Sequence, residues 1–155
     1  MTGSAALLLE FDEEMANTRK VLERVPENSL AWRPHERAFT LGRLANHVAM
    51  LPLGAAILIR KRGSIPLEAT SIAELLESFD RAVAASRDAL ASIDDERLAE
   101  TVRVTPEISK TLLSALRGRG LMNHLIHHRG QLILYLRMLD VPVPGLYGPS
   151  ADEKL

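Results

Sequence analysis

Apolar positions recur at three- and four-residue steps in four stretches of the chain, the period of an amphipathic helix. In the first, Leu7, Phe11, Met15, Thr18, Leu22 and Val25 share a face, and Pro26 ends it, with Asn28 and Ser29 in the turn. A loop carrying Trp32, Pro34 and His35 follows. Thr40 suits the N-cap of a second helix running to about Ile59, with Leu44, His47, Val48 and Leu51 on one face. Pro52 is expected to kink or break that helix, because it lacks an N–H and crowds the preceding turn. A basic connection follows, with Arg60, Lys61, Arg62, Gly63 and Pro66.

The third helix has the clearest start. Ser71 and Glu74 have the spacing of a capping box, and Ile72, Leu75, Leu76, Phe79, Val83, Leu90 and Ile93 form the stripe behind it. Residues 94–110 read as a long connection in which Thr101 to Thr105 alternate as a short strand. The fourth helix is expected from about Lys110 to Leu139. Gly118, Gly120 and Gly130 weaken it, so its first turns are expected to fray or begin later. Leu125, Ile126, Leu132, Ile133, Leu134 and Leu136 spread over more than one of its faces, as in a helix that is either central or covered by a second subunit. Val141 to Leu155 is rich in Pro and Gly and is expected to wrap the bundle.

This pattern gives an all-α fold: a four-helix bundle of up-down-down-up type with a long crossover connection, in one domain over residues 1–155. With 46% apolar and 25% charged residues, the composition is that of a soluble globular protein, expected in the cytoplasm. Nineteen basic and twenty acidic side chains balance to a formal charge of -1, which removes the basic footprint of a nucleic-acid binder. No membrane is expected as a partner. The longest uncharged stretch, Leu44 to Ile59, contains Asn46, His47 and Pro52 and falls short of the ~20 residues that span a bilayer.

The chain has no cysteine, so any metal must be held by histidine and carboxylate, and any thiol must arrive with a substrate. His124 and His128, four residues apart, stack on one helix face and let two imidazoles converge on one ion. His47 is the only histidine inside a helical apolar stripe, so it is the expected third ligand. Three protein ligands leave a coordination position open, as catalytic sites do. Imidazole suits several divalent ions; zinc and nickel are the ones expected. His127 lies about 100° around the helix from its neighbours and is expected to pack outside the site. His35 is either a loop histidine or a spare base. Arg129 is either a solvated charge or a substrate anchor, and Gln131 either a hydrogen-bond partner of a ligand or a core amide.

The chain resembles the DinB family of four-helix-bundle metalloproteins. The likeness rests on His128-Arg129-Gly130-Gln131 with His124 upstream, on Leu44-Ala45-Asn46-His47, on Trp32-Arg33-Pro34, and on the tail from Val141 to Glu153. It implies His47, His124 and His128 as metal ligands and a homodimer. It also implies an activity among the metal-dependent thiol S-transferases, which use low-molecular-weight thiols such as bacillithiol or mycothiol. Under that expectation a thiol, or water in a hydrolase, attacks a small-molecule substrate between the helices, with Gln131, Arg129 or His35 orienting it. The alternative is a structural or sensory metal site without turnover, its coordination closed by a tail carboxylate such as Asp152 or Glu153.

Overall fold

The computed structural model describes residues 2–64 and 68–153, so Pro66 of the basic connection and the last two residues of the tail lie outside the described residues. Helix α1 (Gly3–Leu22) starts at Thr2, whose hydroxyl accepts from the Ala5 amide at 3.3 Å. It ends before Pro26, and Val25 continues its buried face from the following turn. A short 3-10 turn at Glu27–Ser29 leads into the loop to α2 (Leu41–Met50), where the Thr40 hydroxyl accepts from the Arg43 amide.

Pro52 breaks the second helix outright, giving α2 and α3 (Leu53–Arg60) with a bend of 41° between them. The freed backbone groups find a buried partner on another helix. The Ser86 hydroxyl donates to the Pro52 carbonyl at 2.6 Å and accepts from the Ala56 amide at 3.2 Å, so it sits where one ladder hydrogen bond would run. Ser86 lies on α4 (Ile72–Ala91), capped by the Ser71 hydroxyl at the Glu74 amide. The reciprocal half of the expected capping box is displaced by one residue: Glu74 accepts from the amide and hydroxyl of Thr70.

The long connection carries more structure than its sequence suggests. It holds α5 (Asp95–Ala99) and an antiparallel pair, β1 (Thr101–Arg103) and β2 (Ser109–Thr111), with Val102 opposite Lys110. The fourth helical stretch is divided into α6 (Leu112–Arg117) and α7 (Met122–Met138), and the division falls at Gly118 and Gly120.

Helices α1 and α2 each pack against both α4 and α7, while α3 packs on α4. These contacts enclose one core that includes Leu7, Phe11, Leu44, Val48, Leu75, Phe79, Leu125 and Leu132, all buried. Each such side chain contributes ~1.5–3 kcal/mol on leaving water, which is why the helices present these faces to one another. The tail returns over the bundle, with Val143 buried and Leu146 against the core. Among the described residues no single helix is long and apolar enough to cross a membrane.

Candidate metal centre

The α2–α7 contact brings together the three histidines selected by spacing. Ligand atoms of His47, His124 and His128 lie within 4.8 Å of one another, and the ring centroids are 4.5–5.1 Å apart. All three rings are half-buried. The outward nitrogens of two of them are engaged. His128 Nδ1 is 2.7 Å from Gln131 Oε1, and His124 Nδ1 is 3.1 Å from the Arg119 carbonyl. Both partners accept hydrogen bonds, so they hold the proton on Nδ1 and leave Nε2 with its lone pair turned to the centre. Gln131 is therefore the hydrogen-bond partner of a ligand rather than a core amide.

The donor set fits a divalent ion. With zinc ~2.0–2.1 Å from each nitrogen, tetrahedral angles put neighbouring ligand nitrogens about 3.3 Å apart. His47 Nε2 and His124 Nε2 are separated by 3.4 Å. Burial, then the nearby His128 and His124, then Arg43, lowers the His47 pKa to about 4. Burial and His128 also lower that of His124. Both rings are thus neutral near pH 7, the form that binds metal.

A cleft of about 480 Å³ opens beside His47, with apolar walls from Phe39, Met50, Leu51 and Ile57, and with Arg43, Glu68 and Arg119 among its polar lining. The wall nearest His124 depends on two glycines. A Cβ on Gly54 would fall well inside contact distance of the Gly120 carbonyl, and one on Gly120 would strike Leu58 and Ala115. This backbone-to-backbone approach of α3 to the α6–α7 turn holds the turn that carries Arg119. Asn46 fixes the other wall. Its amide donates to Gly42 and Ala69 carbonyls and its oxygen accepts from the Ala69 amide at 2.8 Å, tying the link before α4 to α2 next to His47.

Other expected site residues lie elsewhere. Arg129 is neither solvated nor aimed at the centre: it is 1% exposed, pairs with Glu14 at 2.6 Å, and donates to the Glu14 carbonyl and Thr18 hydroxyl. It directly follows His128 on α7, but ~100° of rotation turns it into the bundle. His35 is exposed in its loop, where its Nδ1 accepts from the Arg37 amide. His127 is exposed and contacts the outer edge of His128. Asp152 is bound to Arg137 and the Val143 amide, and Glu153 to the Gly145 amide, so neither tail carboxylate joins the three histidines. Arg43, Glu68 and Arg119 escaped the sequence reading because a charged residue on a helix or turn gives no sign of which cleft it will face.

Family profiles cover nearly all of this arrangement. The profile described as the DinB superfamily matches residues 10–132, and that of the DinB family matches residues 119–154. The uncharacterized protein YrdA of Bacillus subtilis (strain 168) is 27% identical, with 94% of this chain and 89% of YrdA covered. The crystal structure of a DinB-like protein from Bacillus cereus superposes with a TM-score of 0.76 at 25% identity, covering 90% of this chain and 95% of that one. That of a DinB-like protein from Bacillus subtilis, YjoA, gives 0.72 at 18% identity, covering 91% and 97%.

Proposed function

Because the chain belongs to the DinB superfamily and one of its three convergent histidines, His47, lines an apolar cleft, we propose that it is a metal-dependent enzyme acting on small molecules. The reading assigns it either the transfer of a low-molecular-weight thiol to an electrophile or the hydrolysis of one. The observation that supports it best is the pair of Nδ1 hydrogen bonds, from His124 to Arg119 and from His128 to Gln131. They commit two Nε2 atoms to a common point beside the cleft.

His47, His124 and His128 would hold the ion, zinc or nickel. Bound there, it would supply Lewis acidity that lowers the pKa of a thiol or of water. Phe39, Met50, Leu51 and Ile57 would seat the electrophile and exclude water around it. A non-catalytic site closed by a tail carboxylate is the weaker reading, since Asp152 and Glu153 are engaged elsewhere. A second copy of the chain is assigned to the outer face of α7, where Ile126, Gly130, Leu134 and Met138 follow at four-residue steps. Leu134 is 58% and Met138 53% exposed, and the space beside Gly130 is open. A cytoplasmic setting, where such thiols are found, accompanies the proposal.

Calorimetric titration of the metal-loaded protein with bacillithiol, mycothiol and glutathione tests it, with His128→Ala as control. Metal-dependent binding of one thiol, lost in the variant, supports the transferase. Absence of thiol binding leaves the hydrolase. A variant with His47, His124 and His128 all replaced by alanine that still takes up one metal per chain defeats both.

A further inference from the structure

The cleft beside His47 has a charge pattern that its apolar walls do not require. Arg43 and Arg119 both line it, and within 4.0 Å neither has a carboxylate partner among the described residues. Elsewhere on the surface, Arg19 is matched with Asp80, Arg60 with Asp88, Arg87 with Asp12, Arg117 with Glu10 and Arg137 with Asp152, while Arg24, Arg33, Arg37, Arg62 and Arg103 stand outside this cleft without a carboxylate partner among the described residues. Among the described residues Glu68 is the one acidic residue in the cleft lining, and it forms no ion pair with either arginine. Two cations against one anion leave the cleft lining net positive beside His47.

Both arginines are tied to the metal centre through neighbours, Arg43 by its guanidinium and Arg119 by its backbone. The Arg43 guanidinium lies 4.4 Å over the Phe39 ring, which in turn stands edge-on to His47 with centroids 6.3 Å apart. Stacking on an aromatic face leaves the in-plane N–H donors of Arg43 free for a ligand. Arg119 is held through its own carbonyl, which accepts from His124 Nδ1, and by the Gly54–Gly120 approach that fixes its turn. The apolar lining supplies an area for a hydrocarbon or aromatic body, and a volume of about 480 Å³ suits a small molecule.

We propose that this cleft binds small amphipathic anions, with an apolar body against Phe39, Met50, Leu51 and Ile57 and an anionic group taken by Arg43 and Arg119. This deepens the function proposed above by naming the class of its substrate, and it rests on that reading only for the cleft's catalytic use. The two arginines are specificity determinants: they choose anionic over neutral molecules of the same shape. A neighbouring hollow lined by Lys61, Arg62 and Arg103 shares Ile57 with the cleft and provides the internal control.

The test uses metal-free full-length protein and two fluorescent probes with the same ring system, 1-anilinonaphthalene-8-sulfonate and neutral N-phenyl-1-naphthylamine. The sulfonate is expected to bind about tenfold more tightly at low salt. Joint replacement Arg43→Gln and Arg119→Gln is expected to weaken sulfonate binding about tenfold while leaving the neutral probe within about twofold. Arg62→Gln with Arg103→Gln should change neither. Both arginine pairs are exposed, and melting temperatures will verify that the variants fold. Equal affinity for the two probes, no binding of either, an equal loss for both in the Arg43/Arg119 variant, or a loss confined to the Arg62/Arg103 variant would overturn the proposal. Zinc and nickel uptake are measured in parallel. Anion selectivity in a protein that takes up neither metal would sink the metal-enzyme reading and leave the cleft proposal standing; metal uptake without selectivity would do the reverse.

Discussion

Replacing Arg129 by methionine is expected to cost a substantial part of an ordinary domain's margin of stability while leaving the histidine centre in place. Arg129 is 1% exposed and Glu14, with which it pairs, is 7% exposed. The ion pair, at 2.6 Å, is extended by the Glu14 carbonyl, the Thr18 hydroxyl and the Tyr147 hydroxyl. Tyr147 also donates to Glu14, so the tail is stitched to α1 and α7 through one network. Methionine fills a similar volume but leaves the Glu14 carboxylate buried without its cation. Removing one partner of a buried pair costs ~3–5 kcal/mol, against a total stability of ~5–15 kcal/mol. Because Tyr147 still donates to Glu14, the lower end, about 3 kcal/mol, is expected. At a urea slope of ~2 kcal/mol/M that is a midpoint lowered by about 1.5 M. The double variant Glu14→Met, Arg129→Met removes both charges and is expected to regain at least about 1 kcal/mol over Arg129→Met alone. Equilibrium urea unfolding of metal-free protein, followed by far-ultraviolet circular dichroism, measures all of these. A single variant within 1 kcal/mol of the parent, or a double variant as unstable as the two singles added, would refute the view that the pair is a buried, mutually compensating unit.

Three further outcomes are expected. Gln131→Leu should keep one metal site per chain but weaken zinc affinity ~10–100-fold, because His128 loses the acceptor that fixes its Nδ1 proton; competition with a zinc indicator measures it, and an unchanged affinity would remove Gln131 from the site. Since burial holds the His47 pKa at about 4, below its ordinary value of 6.5, metal-free protein takes up fewer protons than its unfolded chain between those values. Its stability is therefore present in full above about pH 6.5 and falls as pH drops toward 4; urea midpoints across that window should show a slope that His47→Ala reduces, and an undiminished slope would contradict the assignment. Ser71→Ala should lower stability by ~1 kcal/mol through loss of the α4 cap, read from the same unfolding curves; no change would mean that water or Glu74 replaces the hydroxyl at no cost.

Much of this molecule was readable along the chain because the controlling physics is local. The three- and four-residue periods, the Thr40 and Ser71 caps and the break at Pro52 depend on groups a turn or less apart, and each stands where the spacing predicts. The His124–His128 pair is likewise a property of helix pitch, and His47 followed from being a polar ligand inside an apolar stripe. What the spacing left open was settled by contacts between residues far apart in sequence. Arg129 admitted two roles until the fold set Glu14 and Tyr147 around it, 115 and 18 residues away. Ser86 looks like any helical serine until it is seen mending the break at Pro52, 34 residues before it. Gly54 and Gly120 let α3 and the α6–α7 turn touch on one side of the cleft, where Arg119 is both a prop for His124 and a residue of the cleft lining. Local sequence determines which helices form and which faces are apolar; which distant polar groups then meet depends on how those faces pack, and only the tertiary structure decides it.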